Sequence, residues 1–158
     1  MKKVPITKVG YEKLKKELEY IKTVSIPENI RDIEEARAHG DLSENAEYTA
    51  AKERQSFILG RIQEIENNLA SSIIIDLKGI TNDKIVFGAT VIIGDNHSGE
   101  EIKYQLVGPF ESDINENKIS VTSPIGKALI GKRTGEEVTV KTPGGIRKFE
   151  VIDILIES

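Results

Sequence analysis

The chain contains no cysteine in its 158 residues. That excludes a disulfide framework, a thiolate nucleophile and a zinc–thiolate site. No apolar run approaches the roughly 18 residues that a membrane span needs. Met1-Lys2-Lys3-Val4-Pro5 carries two lysines but no apolar stretch after them, unlike a signal peptide, so the expected location is the cytoplasm. No half of the chain is strongly basic. Residues 1–75 carry 12 basic and 13 acidic side chains, and residues 76–158 carry 10 and 13, so neither half has the charge of a nucleic-acid-binding domain. Internal repeats, low-complexity segments, a Ser/His/Asp set and a nicotinamide fingerprint are all absent from the sequence. Gly144-Gly145 is followed by no helix with P-loop spacing and reads as a hairpin turn.

What remains is 38% apolar and 30% charged residues with a net charge of -4. This suits a folded protein that spends part of its length on a coiled coil, where only about two positions in seven are buried. Thr7 is a candidate cap for a helix beginning near Lys8, and Tyr11, Leu14, Leu18 and Ile21 recur at spacings of 3, 4 and 3. The register breaks at Ser25-Ile26-Pro27 and resumes one step off as Ile26, Ile30, Ile33 and Arg37. Proline lacks a donor and clashes with the preceding turn, so a kink or short break is expected there. Gly40 is the natural stop. A second helix is expected to follow at once, with Tyr48, Ala51, Gln55, Ile58, Ile62, Ile65 and Leu69 in strict 3,4 spacing. Two such seams joined by almost no loop predict an antiparallel helical hairpin or an arm of a dimeric coiled coil. At about 1.5 Å per residue, each arm of about 30 residues would be roughly 45 Å long.

From Ser72 the period changes to two. Ile73–Ile75, Ile85–Phe87, Thr90–Ile93, Lys103–Val107, Ile119–Val121, Val138–Lys141 and Lys148–Ile156 read as short strands, separated by turns such as Asp95–Gly99 and Thr142–Gly145. Ser123 as N-cap, Pro124 at the first helical position and Gly131 as a stop predict one short helix. The fold class is therefore α+β in two domains: residues 1–71, an antiparallel helical hairpin, and residues 72–158, an antiparallel sheet with one short helix.

The tip between the two seams, His39-Gly40-Asp41-Leu42-Ser43-Glu44-Asn45-Ala46-Glu47-Tyr48, holds three acids far from any core. Asp41-x-x-Glu44 is the spacing of a capping box, in which each side chain takes the other's backbone amide. It is also a pair of carboxylates of the kind that Mg²⁺ takes together with waters or phosphate oxygens. The two roles are compatible. Two or three exposed acids are too few to hold the ion alone, so any metal chemistry needs ligands from another molecule. Arg37 before the tip, and Lys52 and Arg54 after it, are either ordinary helix-surface charges or a small phosphate contact. Tyr48 either packs at the first seam position or stacks on a base. His39 and His97 read as solvated turn residues.

Gly40-Asp41-Leu42-Ser43-Glu44-Asn45-Ala46-Glu47-Tyr48 resembles the tip signature of the bacterial transcript cleavage factors of the GreA/GreB family, and the chain reads nearest the GreA branch. Pro5-Ile6-Thr7, Ala36–Gly40, Phe87–Val91, Ser123-Pro124-Ile125 and Lys141–Gly145 extend the resemblance in order along essentially the whole chain. It implies an N-terminal antiparallel coiled coil and an FKBP-like C-terminal domain that docks on RNA polymerase at the rim of the secondary channel. The tip would then reach the polymerase's catalytic centre and the 3′ end of backtracked RNA. There Asp41 and Glu44 would help hold the polymerase's second Mg²⁺ and orient the attacking water, while the polymerase hydrolyses the RNA. The factor would be no enzyme in itself and would carry no cofactor of its own. It would contact no membrane and would be a monomer when free. Arg37 and Lys52 match the patch that contacts RNA; Ser43 stands where some relatives have lysine, which weakens that patch. Ser123 and Pro124 are the candidate docking residues. The domain's few aromatics, Phe87, Tyr104, Phe110 and Phe149, are a poor lining for an isomerase pocket.

Overall fold

The structure, a computed structural model, describes residues 3–41 and 45–156. It divides into two compact units, Tyr11–Ser71 and a second made of residues 1–10 together with 72–158. The expected boundary near Ser72 marks the end of the long second arm. By packing, the first ten residues group with the sheet unit. β1 (Val4–Ile6) pairs in parallel with β2 (Ser72–Ile74), and Ile6 is fully buried.

The helical unit contains α1 (Lys8–Tyr20) from Tyr11 onward, a π-helical turn (Ile21–Ser25), α2 (Ile26–Arg37) and α3 (Ala46–Ser71). The first arm runs through Pro27 without a break. The Ile26 amide donates to the Ile21 carbonyl, five residues back, so the wide turn is completed just before the proline. One extra residue in a turn shifts every later position by one. Of the expected second seam, Ile26 and Ile33 are half-buried, but Ile30 and Arg37 are corrected. Ile30 is 47% exposed and Arg37 lies on the surface, while Asn29 (3% exposed) and Ala36 (2%) take the buried places. Asn29 Nδ2 donates to the Ala51 carbonyl of α3 at 2.9 Å, which satisfies the unit's buried amide. The α3 seam lies where its spacing predicts. Ala51, Ile58 and Ile65 are buried, and Tyr48, Gln55, Ile62 and Leu69 are half-buried beside them. Across the arms, Arg61 grips Glu17 through two hydrogen bonds of 2.7 Å. That bidentate pairing holds the Glu17 carboxyl below its ordinary value. With Asn29 facing Ala51 and Glu17 facing Arg61, the arms run antiparallel.

The other unit is built on a five-stranded sheet in the order β5-β4-β3-β7-β6. Its strands are β3 (Thr90–Asp95), β4 (Glu101–Val107), β5 (Lys118–Ser120), β6 (Glu137–Thr142) and β7 (Gly145–Leu155). Pairing is antiparallel except between β4 and β5. Val91 and Ile93, Val138 and Val140, and Phe149 and Val151 alternate inward. A bulge in β7 opposite Ile92–Ile93 inserts one residue. The inward set therefore changes parity, from Phe149 and Val151 to Ile154.

One expected strand is not formed. Ile85–Phe87 lies outside the sheet, although Ile85 is buried and exchanges backbone hydrogen bonds with Gly131 and Lys132. Its apolar run reflects burial under the end of α4 (Pro124–Leu129) rather than strand pairing. α4 itself begins as expected. Ser123 Oγ accepts the Gly126 amide at 3.1 Å and donates to the Ser120 carbonyl at 2.6 Å. Gly131, at φ +85°, turns the chain away after it.

Candidate functional site at the tip of the helical hairpin

α2 ends because its last carbonyls find partners within the turn. The Ala38 amide donates to Glu34, His39 to Ala36 and Gly40 to Arg37. Gly40, at φ +100°, then takes the left-handed conformation that a side chain resists. α3 does not follow at once: its first residue is Ala46 and its N-cap is Asn45. Asn45 Oδ1 accepts the Tyr48 amide at 3.1 Å, and its Nδ2 donates to the Ala36 carbonyl at the end of α2. One amide side chain thus caps the incoming helix and ties it to the outgoing one. The N-cap of α3 is thus Asn45 and not Asp41, four residues before it. The partner expected for Asp41, Glu44, like Leu42 and Ser43, lies outside the described residues. Asparagine is among the favoured N-cap residues, and that preference was the available signal for Asn45.

Of the three acids, the two among the described residues have separate environments. Asp41 is exposed at the tip. Glu47 is drawn across the turn to His39, with Oε2 and Nδ1 3.1 Å apart and both side chains largely in solvent. His39 is therefore exposed, as expected, but it has a carboxylate beside it. Arg37 lies exposed in the last turn of α2. Lys52, also exposed, donates to Gln55 Oε1 at 2.8 Å. Tyr48 is half-buried at the first seam position. Ser123 and Pro124 belong to the sheet unit, where Pro124 is exposed and Ser123 is half-buried by its capping bonds.

Among the described residues, no group of three or more His, Asp or Glu side chains gathers as a metal centre. Asp41 nevertheless offers the hard oxygen donor that Mg²⁺ takes. No helix among the described residues is long and apolar enough to cross a membrane.

Sequence profiles described as "Transcription elongation factor, N-terminal" and "Transcription elongation factor, GreA/GreB, C-term" match residues 4–74 and 80–156. Transcription elongation factor GreA of Syntrophus aciditrophicus is 71% identical over 99% of this chain and 97% of its own length. The factor of the same name from Pelobacter propionicus is 53% identical over 98% of both. The crystal structure of GreA factor homolog 1 of Thermus thermophilus is 32% identical, covers 97% of this chain and 99% of that one, and has a TM-score of 0.45. With both halves matched by the family's profiles and this identity along nearly the full length, the chain belongs to the GreA/GreB family of transcription elongation factors.

Proposed function

We propose that this elongation factor enters the secondary channel of RNA polymerase and stimulates the polymerase's own cleavage of backtracked RNA, releasing arrested complexes. The observation that carries the reading is the placement of Asp41. It stands exposed on a turn between Gly40 and Asn45, where two long packed arms meet, and among the described residues no group of three or more His, Asp or Glu side chains gathers there. A carboxylate so placed suits delivery into a site completed by another protein.

In that complex Asp41 and Glu44 would hold the polymerase's second Mg²⁺, which neutralises charge at the scissile phosphate and activates water. The two carboxylates also accept hydrogen bonds from the attacking water and so fix its direction. Arg37 and Lys52 meet the phosphates of the extruded 3′ end. Ser123, Pro124 and the following helix meet the channel rim. The factor needs no cofactor of its own, has no catalytic centre outside the complex, works in the cytoplasm and is a monomer when free.

Halted, backtracked elongation complexes with labelled RNA test this. Wild-type protein releases a 3′ fragment. Asp41→Asn and Glu44→Gln bind polymerase but cleave at least about a hundredfold more slowly, the scale seen when one electrostatic contact to a transition state is removed. Unchanged cleavage by Asp41→Asn would remove the metal role. Cleavage of free RNA without polymerase would overturn action in trans. A wild-type protein that binds and only inhibits would make the chain a channel-blocking regulator.

A further inference from the structure

The first turn of α1 is capped in part by an acid from the loop after β4. Thr7 is the N-cap: its Oγ1 accepts the Gly10 amide at 3.0 Å. In a capping box, the residue three positions after the cap is Glu or Gln and reaches back to the cap's own amide. Here that position is Gly10, and the carboxylate that reaches the Thr7 amide is Glu111, 104 residues downstream. Glu111 Oε2 accepts the Thr7 amide and the Gly108 amide, each at 2.9 Å, and Oε1 accepts the Thr7 hydroxyl. The hydroxyl therefore donates to Glu111 while accepting from Gly10, and no group in the lock is left over.

The two glycines show what the lock requires. Neither Gly10 nor Gly108 has a positive φ, so neither is needed for its backbone conformation. A Cβ on Gly10 would overlap the Glu111 carboxylate, and one on Gly108 would collide with the Pro5 carbonyl. Both positions are bare because the loop after β4 must press against the start of α1. The negative carboxylate also lies where the helix dipole favours it.

We propose that this split capping box is a positioning device for transcript cleavage: Glu111 pins residues 7–10 to the sheet unit, so that the arm continuing as α1 starts from a fixed root. The proposal rests on the reading given under "Proposed function". The reason is leverage. Helix starts fray unless their amides are satisfied. For an arm of about 45 Å, a freedom of about 5° at the root moves the far end by about 4 Å. A misplacement of about 1 Å is already enough to slow a positioned reaction strongly. Glu111 is thus a positioning residue, acting on a reaction that it never touches.

The test compares wild type, Glu111→Ala, Thr7→Val, Thr7→Ser and Asp41→Asn as full chains on backtracked complexes. Cleavage is followed against factor concentration, with hydrogen exchange measured at the Thr7, Gly10 and Gly108 amides. For Glu111→Ala, protection at those amides is lost and the cleavage rate at saturation falls about tenfold, while the half-saturating concentration changes less than about twofold. Thr7→Val shows the same split, more weakly, and answers the question if Glu111→Ala fails to fold. Thr7→Ser, which keeps all the bonds, behaves as wild type. A wild-type rate at saturation in a Glu111→Ala protein with lost protection overturns the proposal. So does a loss confined to affinity, which is the mark of a merely structural contact. If wild type itself fails to stimulate cleavage, or Asp41→Asn cleaves as well as wild type, the cleavage reading falls and takes this role with it; the exchange data then show separately whether the lock exists.

Discussion

Asn45 organises the tip although it carries none of its charge. Its two polar atoms serve two helices, through the Tyr48 amide at the start of α3 and the Ala36 carbonyl at the end of α2. Asn45→Ala should lower the stability of the helical unit by about 1 kcal/mol, since it removes the cap of α3 and one of the donors to the Ala36 carbonyl, which keeps the His39 amide. Asn45→Asp keeps the acceptor for Tyr48 and loses only the donor, so its thermal melt should fall between wild type and Asn45→Ala. Asp95 is a second single residue whose role can be measured. Its side chain, at the end of β3, is only 11% exposed. It accepts Arg147 Nη2 at 2.8 Å and the His97 and Ser98 amides at 2.7 and 3.1 Å. The Arg147 guanidinium first, and the two amides after it, hold the Asp95 carboxyl down from 3.8 to about 2. A carboxyl lowered by folding stabilises the fold at pH above its unfolded value, and that contribution disappears as pH falls through the folded one. Asp95→Asn should therefore melt below wild type at pH 7, and the gap should close between pH 4 and pH 2.

At the scale of elements, most of the helical unit was legible from spacing. α3 obeys its 3,4 pattern from Tyr48 to Leu69 because a straight helix keeps one face toward its partner. The first arm was misread for two physical reasons. The one-step break in the apolar pattern marks the extra residue of the π turn at Ile21–Ser25 but points to the proline as its cause, and the next buried place is filled by a polar side chain, Asn29, that such a pattern discounts. A pair of substitutions separates the two registers. Ile30→Glu should cost less than about 0.5 kcal/mol, as exposed positions do, whereas Ala36→Glu should cost about 3 kcal/mol or more by burying an unpaired charge. Urea unfolding followed by helical circular dichroism reads both. Equal costs would return Ile30 to the seam. In the other unit the strands of β3, β4, β6 and β7 were legible as alternation, and Ser123, Pro124 and Gly131 bounded α4 correctly. Ile85–Phe87 was not, because a short apolar run looks the same whether it is paired in a sheet or buried beside it. The pairing of β1 with β2, and the bond from Thr7 to Glu111, join residues about a hundred apart in the second case and dozens apart in the first. Local patterns carry no information of that kind. Of the candidate site, the acids and the reversal at Gly40 could be read directly, whereas the pairing of His39 with Glu47 and the cap at Asn45 depend on how the turn closes.

For the whole molecule, the proposed division of labour has a consequence in mixtures. Polymerase contact is assigned to Ser123, Pro124 and α4, in one unit, and metal assistance to Asp41 and Glu44, in the other. The cost of altering Asp41 should therefore fall on the reaction and not on occupancy of the polymerase, because Asp41 is exposed at the tip and belongs to the other unit from the docking residues. An Asp41→Asn chain should then compete. Added to a backtracked complex already bound by wild type, it should suppress cleavage with a midpoint near equimolar, within about threefold, since two ligands of equal affinity share a site in proportion to their concentrations. Ser123→Ala combined with Pro124→Ala in the same Asp41→Asn chain should move that midpoint to much higher concentration by weakening the docking contact. The competing chain's thermal melt is the necessary companion measurement, since loss of the Ser123 cap removes the acceptor of the Gly126 amide and costs about 1 kcal/mol in the short helix. If the triple variant remains folded and inhibits as strongly as Asp41→Asn alone, docking lies outside Ser123 and Pro124. If Asp41→Asn does not inhibit at all, the tip itself contributes much of the binding, and recognition and chemistry are not divided between the two units.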